Sequence, residues 1–482
     1  MKKILPCLLF LVITQVLVAQ INRCGHQHLL GKQGPQFQQL SEQAYDQARR
    51  TSNSSQNRSR QLLTVPVVVH IVYQTPEQNI SDDVVQSQID VLNEDFQRLN
   101  ADAGDARAIF QEVADNPEIK FVLADTDPEG NPTSGITRTE TAVPTFLPLN
   151  ITQADLLDAI DSCGVDLRDP DQFLDSIFCI NNKALEHAFE KLEEQDTTQI
   201  DDMKFTETGG IDAWDQDRYI NIWVCNMTMI VDNLPTVGVA GYATPPIEAP
   251  NWEGIEFPEN FQETDGVVIH YEAFGRNTPA VASLGFEGGR TGTHELGHYF
   301  GLRHTFGDGY CQDDDGLSDT PPTNSFFPPE SIEELTTPLT CPKAKEKDTC
   351  PDDELPDMIE NYMDYSPQSC QNMFTIEQVA IMRSMLEGPR SGLILEQITN
   401  TYSEKVNQSI RLFPNPTNGQ VYIEMQDIDA QNFRVHVENI MGQQLIEQPA
   451  TANLDLSQLD KGIYLVSFKS AEINVVKKII LE

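Results

Sequence analysis

The sequence predicts an α+β domain built on a mixed sheet, followed by a small all-β sandwich domain. Over residues 61–395, runs of β-branched residues alternate with helical stretches, which is typical of helices packed on a sheet. After about residue 405, short runs of alternating apolar and polar residues are separated by glycine-containing turns, which favours a sandwich. The clearest strand signals of the first domain are Thr64–Tyr73, Ile119–Ala124, Tyr219–Cys225 and Val267–Tyr271.

The chain is strongly acidic. Its 482 residues include 74 Asp and Glu against 32 Lys and Arg, giving a formal net charge of −42. Such a surface repels phosphate backbones and anionic membranes, so we expect no nucleic-acid partner. The 28 Gly and 29 Pro are scattered without a period, which argues against collagen-like and repeat architectures.

Residues 1–19 are typical of a secretory signal peptide. Lys2 and Lys3 precede an apolar stretch over residues 4–18, and Ala19 suits a cleavage site. This stretch is too short to span a bilayer comfortably, and no later one approaches about 20 apolar residues, so we expect no stable membrane insertion. Cys7 would leave with the signal, so eight of the nine cysteines remain in an exported chain where disulfides can form.

The next 41 residues or so, 20–60, are polar and end in the basic stretch Arg58-Ser59-Arg60. We interpret them as a removable pro-segment. The packed domain begins at about residue 61, where a β-branched run is followed by a helix with Ser81 as its N-cap and acidic residues in its first turn.

Two further segments stand out by composition. Residues 151–200 are acidic and helix-biased, and we predict an insertion closed by its own disulfide between Cys163 and Cys179. Residues 405–482 form the all-β domain.

The chemistry is concentrated in the sequence THELGHYFGLRH, residues 293–304. His294 and His298 lie four residues apart on one face of a helix, so both imidazoles can reach one zinc ion. Gly301 is the residue expected where the helix stops and the chain turns through a positive φ, which brings His304 round as the third ligand.

Three protein ligands leave one zinc position for water, and Glu295 is placed beside it. A zinc-bound water has its pKa lowered to about 7, and a glutamate can take its proton and pass it to a leaving amine, which is amide hydrolysis. The alternative is an adhesin or binding protein that keeps a zinc fold without turnover. The intact Glu295 favours the enzyme, because a binding module needs no base there.

The extended zinc motif resembles that of the metzincin (zincin-like) metallopeptidases, and Asn361–Ser366 resembles their Met-turn. Within that clan the chain is similar to the pappalysin (cytophagalysin) family over most of residues 65–393. The segments that carry this second likeness are Gly209–Asp215, Tyr219–Cys225, Asp319–Pro322 and Met373–Thr375.

The resemblance implies roles for two residues that would otherwise be read as ordinary core side chains. Met363 would lie beneath the zinc, and Tyr365 would steady the tetrahedral oxyanion. By the same likeness the protein is a metalloendopeptidase that acts on proteins or peptides.

The cysteines after the zinc motif lie in a loop-rich stretch that is expected to need disulfides. Cys311, Cys341, Cys350 and Cys370 permit three pairings. The family pattern implies Cys311 with Cys350 and Cys341 with Cys370. Cys225 lies in a strand and is expected to be a buried thiol.

An acidic cluster follows the third histidine, and its oxygen ligands suit calcium. The family likeness implies a structural calcium that uses Asp315, Asp319 or Thr320 in part. A solvated acidic loop is the alternative. The cluster comprises Asp308, Asp313, Asp314, Asp315, Asp319 and Thr320.

Cys24 opens the pro-segment beside Gly25. A thiolate is a good zinc ligand, so Cys24 can occupy the fourth zinc position and hold the enzyme latent, which resembles the cysteine switch of zymogens of this family. The alternative is that Cys24 forms a disulfide.

Substrate choice is where the chain departs from relatives that cut before Arg or Lys. Those relatives carry an aspartate immediately before the last cysteine, whereas Ser369 precedes Cys370 here. A strict preference for basic residues is therefore in doubt.

The C-terminal domain resembles the sorting domain of the type IX secretion system, in Leu412–Val421, Ile440–Gly442, Leu459–Tyr464 and Lys477–Glu482. That likeness implies the type IX machinery as a partner and an extracellular or cell-surface location. An accessory sandwich that binds carbohydrate or protein is the alternative.

Overall fold

The computed structural model divides the chain into two compact units, Met1–Ile394 and Leu395–Glu482. The structure describes residues 24–52, 61–166, 172, 176–194, 201–247, 264–276, 288–307, 310–312, 314–324, 341, 348–351, 355–395, 409–425, 433–439, 444–469 and 474–481. The predicted signal peptide, Cys7 and the basic stretch Arg58–Arg60 lie outside these residues.

The first unit mixes helices and strands. Its helices are α1 (His26–Ser52), α2 (Asp82–Asp95), α3 (Gln153–Ser162), α4 (Ile177–Glu194), α5 (Arg290–Tyr299) and α6 (Ile376–Leu386). Its strands are β1 (Leu63–Tyr73), β2 (Ala114–Asp115), β3 (Ile119–Leu123), β4 (Ile136–Glu140), β5 (Asn150–Ile151), β6 (Ile220–Cys225), β7 (Thr228–Val231), β8 (Leu234–Val237), β9 (Gly241–Ala243), β10 (Val267–His270) and β11 (Phe374–Thr375).

The main sheet has the strand order β3-β1-β6-β10-β9, and β4 also pairs with β1. Every pairing in it is parallel except that of β9 with β10, so the predicted mixed sheet is confirmed. Strand β1 is central and buried on both faces, which explains its nearly continuous apolar sequence. The antiparallel β9 lies at the end of the sheet, beside the zinc-motif helix α5.

The two faces of the sheet bury different cores because successive side chains of a strand point to opposite faces. Ile222 and Val224 of β6 pack in the cluster that includes Leu296 of α5 and Met363. Trp223 and Cys225 of the same strand pack in the other cluster, with the helices of the insertion. The zinc motif and the insertion therefore contribute to different clusters.

Two local features that the sequence predicts, a helix N-cap and a disulfide, are present in the structure. The side chain of Ser81 accepts a hydrogen bond from the Val84 N–H at the start of α2, with Asp82 and Asp83 in the first turn. The segment that the sequence predicts to be an insertion contains the packed helices α3 and α4, and the predicted disulfide between Cys163 and Cys179 is present.

The second unit is all-β in its described part. Its strands are β12 (Ile410–Phe413), β13 (Gln420–Met425), β14 (Arg434–Asn439), β15 (Gln444–Pro449), β16 (Asn453–Asp455), β17 (Gly462–Lys469) and β18 (Asn474–Leu481). They form two antiparallel sheets, β12-β13-β16 and β15-β14-β17-β18, whose apolar side chains share one core. The predicted sandwich is confirmed. Among the described residues of the whole chain, no helix has the length and apolar character needed to cross a membrane.

Candidate metal centre

The zinc-motif helix α5 presents two histidines and a glutamate on its buried side. It begins after Gly289, whose φ is 70°, and the chain turns away at Gly301 with a φ of 92°. That turn places the His304 Nε2 atom 3.1 Å from the His298 Nε2 atom. The His298 Nε2 atom in turn lies 3.2 Å from the His294 Nε2 atom.

The other ring nitrogens of His294 and His298 are hydrogen-bonded to backbone carbonyls. His294 Nδ1 donates to the Tyr362 carbonyl at 2.7 Å, and His298 Nδ1 donates to the Leu302 carbonyl at 2.8 Å. These bonds place a proton on each of the two Nδ1 atoms, so the Nε2 lone pairs of these rings can face one point. Two nitrogens bound tetrahedrally to one zinc lie about 3.3 Å apart, so the donor set fits this metal.

Cys24 completes the cluster. The ligand atoms of Cys24, His294, His298 and His304 all lie within 4.8 Å of one another, and all four residues are buried. The neighbouring Gly25 donates its backbone N–H to the Gly241 carbonyl of β9 at 2.7 Å. The segment that contains Cys24 and Gly25 therefore contacts the edge strand and brings a thiol to the histidine cluster.

Glu295 is completely buried beside these ligands. Its Oε2 atom accepts a hydrogen bond from the Cys24 thiol at 3.3 Å, and its Oε1 atom has no hydrogen-bond partner among the described residues. Burial raises the pKa of Glu295 well above its usual range, and the hydrogen bond from Cys24 partly offsets this. A buried carboxylate oxygen without a partner suits a site that receives water.

Two residues of the predicted Met-turn, Met363 and Tyr365, lie close to the zinc-motif residues. A Cβ atom on Gly297 would stand 2.3 Å from the Met363 sulfur, so this glycine lets Met363 pack directly against α5. The Tyr365 ring lies 4.9 Å from that of His304, and its hydroxyl donates to the Cys24 carbonyl at 3.4 Å. Tyr365 is therefore within reach of a group bound in the cleft.

A residue that the sequence did not single out is Gly241. A Cβ atom there would stand 2.9 Å from Glu295 Cγ and 3.1 Å from Glu295 Oε1. No local signal distinguishes this glycine, because its contact is with a residue 54 positions further along the chain.

If Glu295 is the base that the sequence predicts, we expect Gly241→Ala to lower the predicted peptide cleavage rate by about 100-fold with unchanged zinc content, because a displacement of a base near 1 Å costs about that much. The measurement is kcat with bound zinc determined in parallel. Gly104→Ala is the matched control, since a Cβ atom on Gly104 meets nothing within 4 Å. Full activity of the Gly241→Ala enzyme would contradict this role.

The predicted disulfides of the loop region are formed in part. Cys311 is bonded to Cys350. No disulfide joins Cys341 to Cys370 in the structure, which corrects the predicted pairing, and the two residues lie in one small cluster with Ile359. Cys225 is fully buried in β6, as expected for a structural thiol.

The predicted calcium residues have different hydrogen-bond partners in the structure. Asp315 is buried and its Oδ1 atom accepts from the Thr320 hydroxyl at 2.6 Å. Asp319 instead accepts from the Thr375 hydroxyl and the Glu377 N–H, both at 2.8 Å, at the start of α6. Among the described residues, the group around Cys24 is the one cluster of metal-ligating side chains, and Asp308 and Asp313 lie outside them.

Comparisons with known proteins find two family models that match parts of the chain. Residues 278–387 match the family model described as Pregnancy-associated plasma protein-A, and residues 411–482 match that of the Secretion system C-terminal sorting domain. A solved promirolysin mutant of Tannerella forsythia is 31% identical, with a TM-score of 0.53, and the match covers 78% of this chain and 97% of that one. Mature mirolysin of the same organism in complex with a cleaved peptide is 35% identical over 70% of this chain and 97% of that one, with a TM-score of 0.48.

Curated relatives match over a shorter part. An extracellular metalloprotease of Arthroderma benhamiae is 38% identical over 130 residues, which is 27% of this chain and 38% of that protein. One of Verticillium alfalfae is 40% identical over 120 residues, which is 25% of this chain and 36% of that protein. The chain thus spans little more than a third of the length of these relatives.

The fold and the site define the class of the molecule as a metallopeptidase. The chain belongs to the pappalysin family, and its tail is a type IX secretion sorting domain, which makes it a secreted or cell-surface protein.

Proposed function

We propose that the matured chain is a secreted zinc endopeptidase that hydrolyses peptide bonds, with His294, His298 and His304 as zinc ligands. The observation that carries this function is the convergence of the three Nε2 atoms beside a buried glutamate whose Oε1 atom has no described hydrogen-bond partner. When bound, zinc would polarise the scissile carbonyl and acidify a water molecule.

The residues of this chain then have separate tasks. Glu295 takes the proton of the attacking water and delivers it to the leaving amine. The Tyr365 hydroxyl, which meets the Cys24 carbonyl in the full chain, donates to the oxyanion that forms at the substrate carbonyl. The Gly241 carbonyl, which Gly25 occupies before maturation, is an acceptor for the substrate backbone.

The test is digestion of a denatured protein mixture by the matured chain, before and after zinc chelation, with every cut mapped by mass spectrometry. Cleavage that is lost on chelation and restored by zinc supports the function. A properly matured chain that holds zinc and cleaves nothing would favour the binding-protein alternative.

The same cleavage map tests substrate choice. Ser369 is exposed beside the cysteine where relatives carry an aspartate, so no carboxylate at this position can pair with a basic side chain. We expect cuts that are not restricted to Arg and Lys, and a map confined to those residues would contradict this expectation.

Latency belongs to the same proposal, with Cys24 as the fourth zinc ligand in the full chain. The pro-segment makes a second set of contacts, outside the cleft, through α1. Arg49 of α1 donates to the Gly316 carbonyl at 2.7 Å, the Tyr45 hydroxyl donates to the Asp315 carbonyl, and Arg303 lies 4.2 Å above the Tyr45 ring. Two separate anchors thus support a pro-segment that blocks the cleft.

Calcium at the loop that contains Asp315 and Thr320 stays a prediction. Asp315 Oδ2 is buried and has no hydrogen-bond partner among the described residues, which suits a cation. A calcium-selective chelator is then expected to lower the melting temperature of the full chain. An unchanged melting temperature would contradict a structural calcium site.

A further inference from the structure

Asp95, the last residue of α2, lies in the core behind the zinc ligand His294. It is 2% exposed. Its Oδ2 atom accepts a hydrogen bond from the Thr293 hydroxyl at 2.7 Å, and its Oδ1 atom accepts one from the Tyr362 hydroxyl at 2.7 Å. The carboxylate therefore ties together two residues from distant parts of the chain.

Both of these residues control His294. Thr293 precedes it on α5, so it sets the position of the helix turn that carries the ligand. The Tyr362 carbonyl accepts the His294 Nδ1–H at 2.7 Å, which sets the rotation of the ring. Asp95 thus holds Thr293, which precedes His294 in the chain, and Tyr362, whose carbonyl accepts the hydrogen bond from His294.

We infer that Asp95 is a positioning residue for the metal site, which holds the His294 ring in the orientation that binds zinc. Partners of this kind commonly change metal affinity by about 10- to 100-fold when they are replaced. The inference rests on the proposed function in that it takes the histidine cluster to be a zinc site.

A neighbouring carboxylate offers a matched control. Asp102 accepts two hydrogen bonds from the Arg290 guanidinium, at 2.7 and 2.8 Å, and Arg290 also approaches Asp95 at 3.6 Å. No hydrogen bond joins Asp102 to Thr293 or Tyr362 among the contacts of the described residues. Asp102→Asn therefore disturbs the same arginine, which also lies 5.5 Å from the centre of the Tyr362 ring, and leaves both hydrogen bonds of Asp95 in place.

The experiment measures the zinc dissociation constant by competition with a chromophoric chelator. It uses the full chain with Glu295→Ala, so that self-cleavage does not alter the sample, and the melting temperature of each metal-free variant is recorded. Asp95→Asn is expected to raise the dissociation constant by about 10- to 100-fold, since an amide cannot accept both hydroxyl hydrogen bonds as the carboxylate does.

Tyr362→Phe removes the hydroxyl alone and is expected to raise the dissociation constant by about tenfold, and it decides the matter if Asp95→Asn does not fold. Asp102→Asn is expected to leave it within about threefold. A purely structural Asp95 would lower the melting temperature and leave zinc affinity unchanged, and that result overturns the inference. Equal weakening by Asp102→Asn also overturns it, whereas a parent chain that takes up no zinc overturns the zinc site itself.

Discussion

Glu295→Ala is expected to lower the cleavage rate of the matured chain by about 100- to 10,000-fold. A positioned general base contributes about this much, and alanine leaves no group to take the proton from water or to return it to the amine. Because Glu295 is not among the zinc ligands, bound zinc should be retained. The measurement is kcat on a peptide found by cleavage mapping, with zinc content determined on the same sample.

The control for this variant is Glu190→Ala, which removes an exposed carboxylate from α4. It should cleave as fast as the parent chain. Unimpaired cleavage by the Glu295→Ala protein would show that the buried glutamate is not the base. That result would favour the alternative in which the zinc fold serves binding.

Cys24→Ala is expected to abolish latency. If the thiol contributes about 1.4 kcal/mol or more to the closed state, its removal raises the open fraction about tenfold or more. The full chain should then process itself prematurely near Arg58–Arg60. The measurement is the rate of pro-segment loss, followed by electrophoresis and by mass spectrometry of the new N-terminus.

Two further variants sharpen this test. Cys225→Ala removes a buried thiol from β6 and should leave the chain latent. Adding Arg49→Ala to Cys24→Ala removes the contact with the Gly316 carbonyl as well, so processing should become faster still. A Cys24→Ala chain that stays latent would contradict the cysteine switch.

The parts of the site that the sequence predicted are those set by short-range rules. The four-residue spacing of His294 and His298 and the positive φ at Gly301 follow from helix geometry and from the freedom of glycine. The strand signals are also local, since runs of β-branched residues favour strands. Cys24 was predicted through the likeness to zymogens of the family, and the structure places its thiol beside Glu295.

The rest depends on contacts between residues far apart in the chain. Gly241 is special because Glu295 packs against it, and Asp95 because it meets Tyr362, 267 positions away. Asp319 is a predicted calcium ligand in an acidic run, and its carboxylate also accepts a hydrogen bond from the Glu377 N–H at the start of α6. Composition cannot separate these uses, since a carboxylate can bind a cation, cap a helix or support a histidine.

The most direct test is X-ray absorption at the zinc K-edge, measured on the full chain and on the chain matured at about residue 61. The account predicts nitrogen ligands at about 2.0 Å in both samples, with a sulfur ligand at about 2.3 Å in the full chain alone. Maturation should replace that sulfur by oxygen. Sulfur in neither sample, or in both, would contradict the switch, and a full chain without zinc would contradict the metal centre itself.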